Sequence, residues 1–189
     1  MKKIISFMAF LTIMLVGVGS SLAATHTVSK GDTYWKIGMQ YGIPVKSFMS
    51  ANKATNSMLS IGQKLTIPAS SVTNSEKELL ARLVEAEAKG ESYAGKVAVA
   101  TVVLNRVDSS LFPNTVNAVI YQTDQFTPVS NGQINKAASS ESKKAVKEAL
   151  AFRGQGSGSL YFYNPAKTTN TWLRAKTTTI KIGNHIFAK

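Results

Sequence analysis

Apolar positions fall into runs with two different periods, and the runs divide the chain. Leu79, Leu80, Leu83 and Val84 recur at helical spacing and mark one buried face. Ser75, with Glu78 three residues on, predicts a capping box at the start of that helix, and Gly90 predicts its end. Val97 to Val107 (VAVATVVLNRV) is apolar nearly all round. Its β-branched content would suit a strand, but joined to Ala94-Gly95-Lys96 it runs for about 14 residues, a length that predicts a buried helix. Asp108 to Pro113 breaks it, and Val116 to Tyr121 is a short apolar piece. Ser139 to Phe152 reads as an amphipathic helix with Ala145, Val146, Ala149 and Leu150 inside. A Gly/Ser-rich loop (Arg153 to Ser159), a strand (Leu160 to Tyr163) and a hairpin (Thr178 to Lys189) turning at Gly183-Asn184 complete this half.

The N-terminal half has shorter runs. Thr25 to Ser29 alternates, Lys30-Gly31-Asp32 turns, and Thr33 to Tyr41 is helical with Trp35, Ile37 and Met39 available for packing. Gly42-Ile43-Pro44 separates it from a second helical piece, Val45 to Asn52, and Ile61 to Lys64 turns into the strand Leu65 to Pro68. This order, strand–helix–helix–strand in about 44 residues, predicts a small α+β unit with paired strands. The polar stretch Ser70 to Asn74 is the boundary, within a linker over residues 69–75. Ahead of everything stand Lys2, Lys3, an apolar run from Ile4 to Val18 and a small-residue end at Ala23. Residues 1–23 therefore read as a secretory signal peptide, since the run is short for a retained membrane anchor and no second span follows.

Composition narrows the chemistry. Twenty-two Lys and Arg against ten Asp and Glu give +12, which becomes +10 once Lys2 and Lys3 leave with the signal peptide. A basic exported protein seeks polyanions, and export favours the anionic cell wall over nucleic acid. There is no cysteine, so neither a disulfide nor a thiol nucleophile is available. The two histidines, His26 and His185, stand at opposite ends, too few for a zinc hydrolase with its three protein ligands. These absences remove thiol peptidases and most zinc amidases; no metal or cofactor is expected. Ser140 to Lys143 spells S-x-x-K without the companion motifs of serine penicillin-binding enzymes.

Glu87 follows Leu83 by four residues and Val84 by three, so its carboxylate lies on the apolar face at the helix end. Burial there disfavours the charged form, and an acid still protonated near neutral pH is what breaking a glycosidic bond requires. Glu85, Glu87 and Glu91 could equally be one solvated acidic patch; spacing leaves both readings open.

The segments T-V-S-K-G-D-T, W-K-I, Y-G-I, A-N and G-Q-K-L-T-I-P make residues 25–68 resemble a LysM domain. The resemblance implies binding of N-acetylglucosamine-containing peptidoglycan strands in a groove between Gly31, Asp32 and Thr33 and the loop after Asn52, near Leu59 to Ile61. Trp35 is read as core rather than sugar platform. A single copy should bind weakly and gain from avidity with the second module.

LLARLVEAEAKGESYAGKVAVATVVLNRV, FPNTVNAVIYQTDQF, LYFYNP and IGNHIFAK make residues 76–189 resemble the catalytic domain of the SleB/CwlJ-type cell-wall hydrolases, the spore cortex-lytic family. The implied whole is α+β: a βααβ LysM module, then a mainly helical lysozyme/lytic-transglycosylase-like domain with a small β-portion. The implied activity is cleavage of glycan strands to an anhydromuramic product, with Glu87 as general acid and then base. That reaction needs one carboxylate, unlike hydrolysis with its acid plus nucleophile or base. After Glu91 only Asp108, Asp124, Glu141 and Glu148 remain, the last two on the surface of an amphipathic helix. Asp124 is the candidate second carboxylate; facing Glu87, it would bring hydrolysis back.

Supporting positions follow from the same motifs. Glu91 is a helix-end partner that raises the Glu87 pKa, or a structural group. Gln125 and Thr127 are placed to bond sugar N-acetyl or hydroxyl groups, and Tyr161 and Tyr163 share a face toward the cleft with Asn164 at its end. His185 reads as structural. Glu85 stands where the family commonly has an aromatic or neutral residue and reads as solvated. The expected protein is an exported, monomeric, wall-associated enzyme acting on cortex or vegetative peptidoglycan. An N-acetylmuramoyl-L-alanine amidase and a non-catalytic wall-binding protein are the rivals.

Overall fold

The computed structural model describes residues 24–189; the segment read above as a signal peptide, 1–23, lies outside them. The first module is β1 (Ala24–Thr27), α1 (Tyr34–Tyr41), α2 (Val45–Ala51) and β2 (Lys64–Ile67). Its strands pair antiparallel, Ala24 opposite Ile67 and Thr27 opposite Lys64. Thr33 caps α1 by accepting from the Lys36 amide at 3.1 Å, and Gly42 ends it in the left-handed region at φ 61°. Ile37, Ile43, Phe48 and Leu65 fill a core of its own, with Tyr34 edge-on to Phe48.

The second module runs α3 (Asn74–Ala88), α4 (Tyr93–Asp108), α5 (Val116–Ile120), α6 (Thr127–Ser130), α7 (Ser140–Phe152), β3 (Tyr161–Tyr163), α8 (Thr171–Arg174), β4 (Thr178–Ile182) and β5 (His185–Ala188), with a 3₁₀ turn at Gln133–Asn135. The all-round apolar segment is α4, buried at Val99, Ala100, Val102, Val103 and Leu104 between α3, α7 and the sheet. The three antiparallel strands lie in the order β3-β5-β4. α6, α8 and the 3₁₀ turn were not anticipated: each is too short to show a hydrophobic period.

Two expectations about helix ends and faces need correction. The capping box of α3 is Thr73 with Glu76, two residues ahead of Ser75 and Glu78. The sequence spells both boxes, and burial of Val72 in the second core fixes the earlier one. Glu148 is not simply a surface group, because it accepts the Tyr93 hydroxyl at 2.6 Å; Glu141, on the same helix, pairs with the buried Lys96.

The polar connection is tied down. Ser70 Oγ donates to the Gly42 carbonyl at 3.2 Å, and Arg153 holds Asp108 through two bonds and Ser71 through a third. Trp35 belongs to neither core: its ring meets Phe152 of α7 at 6.4 Å, and Lys46 Nζ reaches the Gly154 carbonyl at 2.8 Å. The first module thus docks through α1 on α7, which contributes nothing to the cleft described next.

Candidate active site

A cleft of about 1210 Å³ opens between the α3–α4 turn, the segment before α6, and β3 with the loops around α8 and the β4–β5 turn. α3 presents Glu87 to it one residue before the helix ends. The backing residues Leu83 and Val84 are fully buried, which leaves the Glu87 carboxyl half-buried at the cleft wall. Burial alone pushes its pKa above the usual 4.5; no neighbouring charge or hydrogen bond contributes.

The two neighbouring glutamates differ. Glu91 accepts from the Asn184 backbone amide and side-chain amide, each at 3.1 Å, with its side chain only 9 % exposed. These bonds hold its pKa below the usual value and tie the α3–α4 turn to the β4–β5 turn, so it is no contributor to the raised pKa of Glu87. The fit is close: Gly183 sits at φ 55°, as a primed hairpin turn demands, and a Cβ there would collide with the Glu91 carboxylate. Glu85, expected to be solvated, instead accepts from both the amide and hydroxyl of Ser139 and from Ser142 Oγ at the N-terminus of α7. These bonds lower its pKa, and the side chain points away from the cleft.

Asp124 lies exposed on the cleft wall, with a left-handed φ of 58°. Gln125 Oε1 accepts from Arg106 Nη1 at 3.2 Å, and Thr127 opens α6 beside it. Tyr161, Tyr163 and Asn164 all reach the lining, Tyr163 being largely buried. His185 is 8 % exposed, its Nδ1 lies 3.9 Å from Glu91, and burial holds its pKa below 6.5. Ser140 and Lys143 are not at the cleft; Lys143 pairs with Glu78 at 3.0 Å.

Sequence reasoning missed several lining residues, Arg106 and Trp172 among them. Arg106 is 6 % exposed, donates to the Leu160 carbonyl at 2.7 Å, and is boxed by Phe112, Phe126 and Tyr161 with ring centroids 4.8 to 5.7 Å from its guanidinium. A charge four residues after Val102 and three after Val103, on a buried helix face, was the available signal. Trp172 was legible only as a lone large aromatic in a polar stretch.

In the first module, Asp32 Oδ2 accepts from the Ser29 amide and faces His26 Nε2, each at 2.9 Å. Asn52 donates to the carbonyls of Phe48 and Thr66 and accepts the Thr66 amide. Gly31 and Ile61 are exposed, Leu59 half-buried. Among the described residues, no cluster of three His, Cys, Asp or Glu side chains is arranged to hold a metal ion, and no helix is long and apolar enough to cross a membrane.

Comparison with known proteins places this architecture. The LysM domain model matches residues 26–68, and the model described as Cell Wall Hydrolase matches residues 90–188, starting just after Glu87. The solved catalytic domain of the germination-specific lytic transglycosylase SleB from Bacillus anthracis is 40% identical, with a TM-score of 0.60 over 65% of this chain and 100% of that one. The spore cortex-lytic enzyme of Bacillus cereus is 37% identical over 163 residues, 86% of this chain and 58% of that protein. That of Bacillus subtilis is 39% identical over 117 residues, 62% of this chain and 38% of that protein. The chain therefore spans less than two thirds of the length of either curated relative. It belongs to the cell wall hydrolase family, with a LysM module ahead of a SleB-type catalytic fold.

Proposed function

We propose that the chain is an exported, wall-associated enzyme that cuts peptidoglycan glycan strands as a lytic transglycosylase, with Glu87 as its general acid and base. The carrying observation is a half-buried carboxyl with no protein partner, its pKa raised by desolvation, facing an open cleft. Protonated Glu87 gives its proton to the glycosidic oxygen as the C1–O bond breaks. The resulting carboxylate takes the proton of the muramyl C6 hydroxyl as O6 bonds to C1, which restores the acid and consumes no water. At about 1210 Å³ the cleft exceeds the ~300–1,000 Å³ of small-molecule sites, which suits a polymer. Gln125 and Thr127 would bond sugar substituents, Glu91 would hold the cleft rim, and the LysM module would retain the strand through the loops at Gly31–Thr33 and Leu59–Ile61. Likeness to spore cortex-lytic enzymes favours spore cortex as substrate. Residues 1–23 would direct export, residues 69–75 divide the modules, and the mature protein would act as a monomer.

Exposure of Asp124 in the same cleft favours one second reading, hydrolysis by a water that Asp124 activates. Mass spectrometry of fragments released from purified cortex and vegetative peptidoglycan, beside Glu87→Gln, decides between them. Anhydromuramic ends from the wild type alone are expected. Reducing ends would move Asp124 into the mechanism, and free stem peptides would make the protein an amidase. Full activity of Glu87→Gln would remove the proposal.

A further inference from the structure

Among the described residues six large apolar side chains are exposed: Met58, Ile61, Leu111, Tyr121, Trp172 and Ile180. Leu111, 72 % exposed, and Trp172, 54 % exposed, both line the cleft. An indole left in water is costly, and the loop carrying it is built to keep it there. Asn170 caps α8 by accepting the Leu173 amide at 3.1 Å, and Arg174 clamps the preceding turn through the carbonyls of Pro165 and Thr168. The Trp172 ring meets Tyr161 at 5.1 Å and 84°, and the Lys176 ammonium stands 4.0 Å from its centroid. Tyr161 is itself backed by Phe112 and by the buried Arg106 guanidinium. A rigid aromatic shelf at the cleft edge results.

We propose that Trp172 is a glycan-stacking residue, the platform on which one N-acetylhexosamine ring of the strand rests. The proposal rests on the glycan-strand reading above and goes beyond it, since neither the acid nor the polar positions determine where a sugar ring lies. A pyranose has an apolar C–H face that carries the positive edge charge an aromatic face attracts, while its hydroxyls point outward. Asn170, Thr168 and Lys167 line the cleft beside the shelf and offer those hydroxyls partners. Trp172 therefore governs how tightly the strand is held and does not enter the bond-breaking step.

The chain contains two tryptophans, so Trp35→Phe leaves Trp172 as the only indole. In the mature chain carrying Trp35→Phe and Glu87→Gln, titration with N-acetylglucosamine tetramer should shift Trp172 emission saturably. Oligomer bound only to the LysM module would leave that emission unchanged. With Glu87 intact, Trp172→Ala should raise KM for soluble glycan strands about tenfold, with kcat little changed, and Trp172→Phe should recover most of the loss. Unshifted emission at saturating tetramer, or wild-type KM in Trp172→Ala, overturns the proposal while leaving glycan cleavage in place. Failure of the wild type to cut any glycan would remove the functional reading instead, and the emission titration would still report whether sugar occupies the shelf.

Discussion

The loops of the first module and the cleft of the second use similar residues in opposite ways. Asp32 and Asn52 are satisfied by their own backbone surroundings, and Thr33 is spent capping α1. In the cleft, Glu91 is equally spent on Asn184, but Glu87, four residues earlier, is half-buried and has no protein partner. A satisfied polar group stabilises the fold; a partly desolvated carboxyl without a partner costs stability when charged and persists where chemistry needs it. The cleft depends on one side chain being left free.

The largest expected effect is at Glu87. Glu87→Gln should lower fragment release by roughly 10²–10⁴-fold, yet raise the melting temperature at neutral pH. The sign follows from linkage: the folded pKa lies above 4.5, so the stabilisation that goes with the protonated form is full below 4.5 and is lost as pH rises through the folded pKa. Scanning calorimetry should therefore show the Gln variant gaining at neutral pH and matching the wild type in acid. A Gln variant that melts earlier at neutral pH would mean that Glu87 is a structural group.

Glu91→Ala should destabilise by about 2 kcal/mol in chemical denaturation, because it strips partners from both Asn184 donors, and should slow cleavage without abolishing it. Asn52→Ala should cost about 1–2 kcal/mol, losing the link between the end of α2 and β2. Cleavage of soluble strands should survive that change, which separates the two regions. Acid should loosen the β4–β5 hairpin. Glu91 has a lowered pKa, so its contribution is present above 4.5 and is lost as pH falls through the folded value; His185, also lowered, contributes above 6.5 and fails below it. Hydrogen exchange of Ile182 to Phe187 should therefore speed up, beyond its intrinsic rate, below pH 6.5 through His185 and further below pH 4.5 through Glu91. The smallest effect is expected for Asp124→Asn, which should cut more slowly but still leave anhydromuramic ends.

Much of this molecule was legible because hydrophobic periods are local. The spacing of Leu80, Leu83 and Val84 fixed the buried face of α3 and put Glu87 on it, and Gly183-Asn184 marked the hairpin. The all-apolar run of α4 declared itself buried before any partner was known. What only the tertiary structure decided is which of three neighbouring glutamates stays bare. Glu85 is claimed by Ser139 and Ser142, 54 and 57 residues away, and Glu91 by Asn184, 93 residues away. The same holds for Arg106, which anchors on the Leu160 carbonyl, and for Trp172, held open by a helix of four residues. A side chain's identity sets what it can bond, but its free capacity depends on which distant groups the fold brings to it, and local pattern carries no record of those.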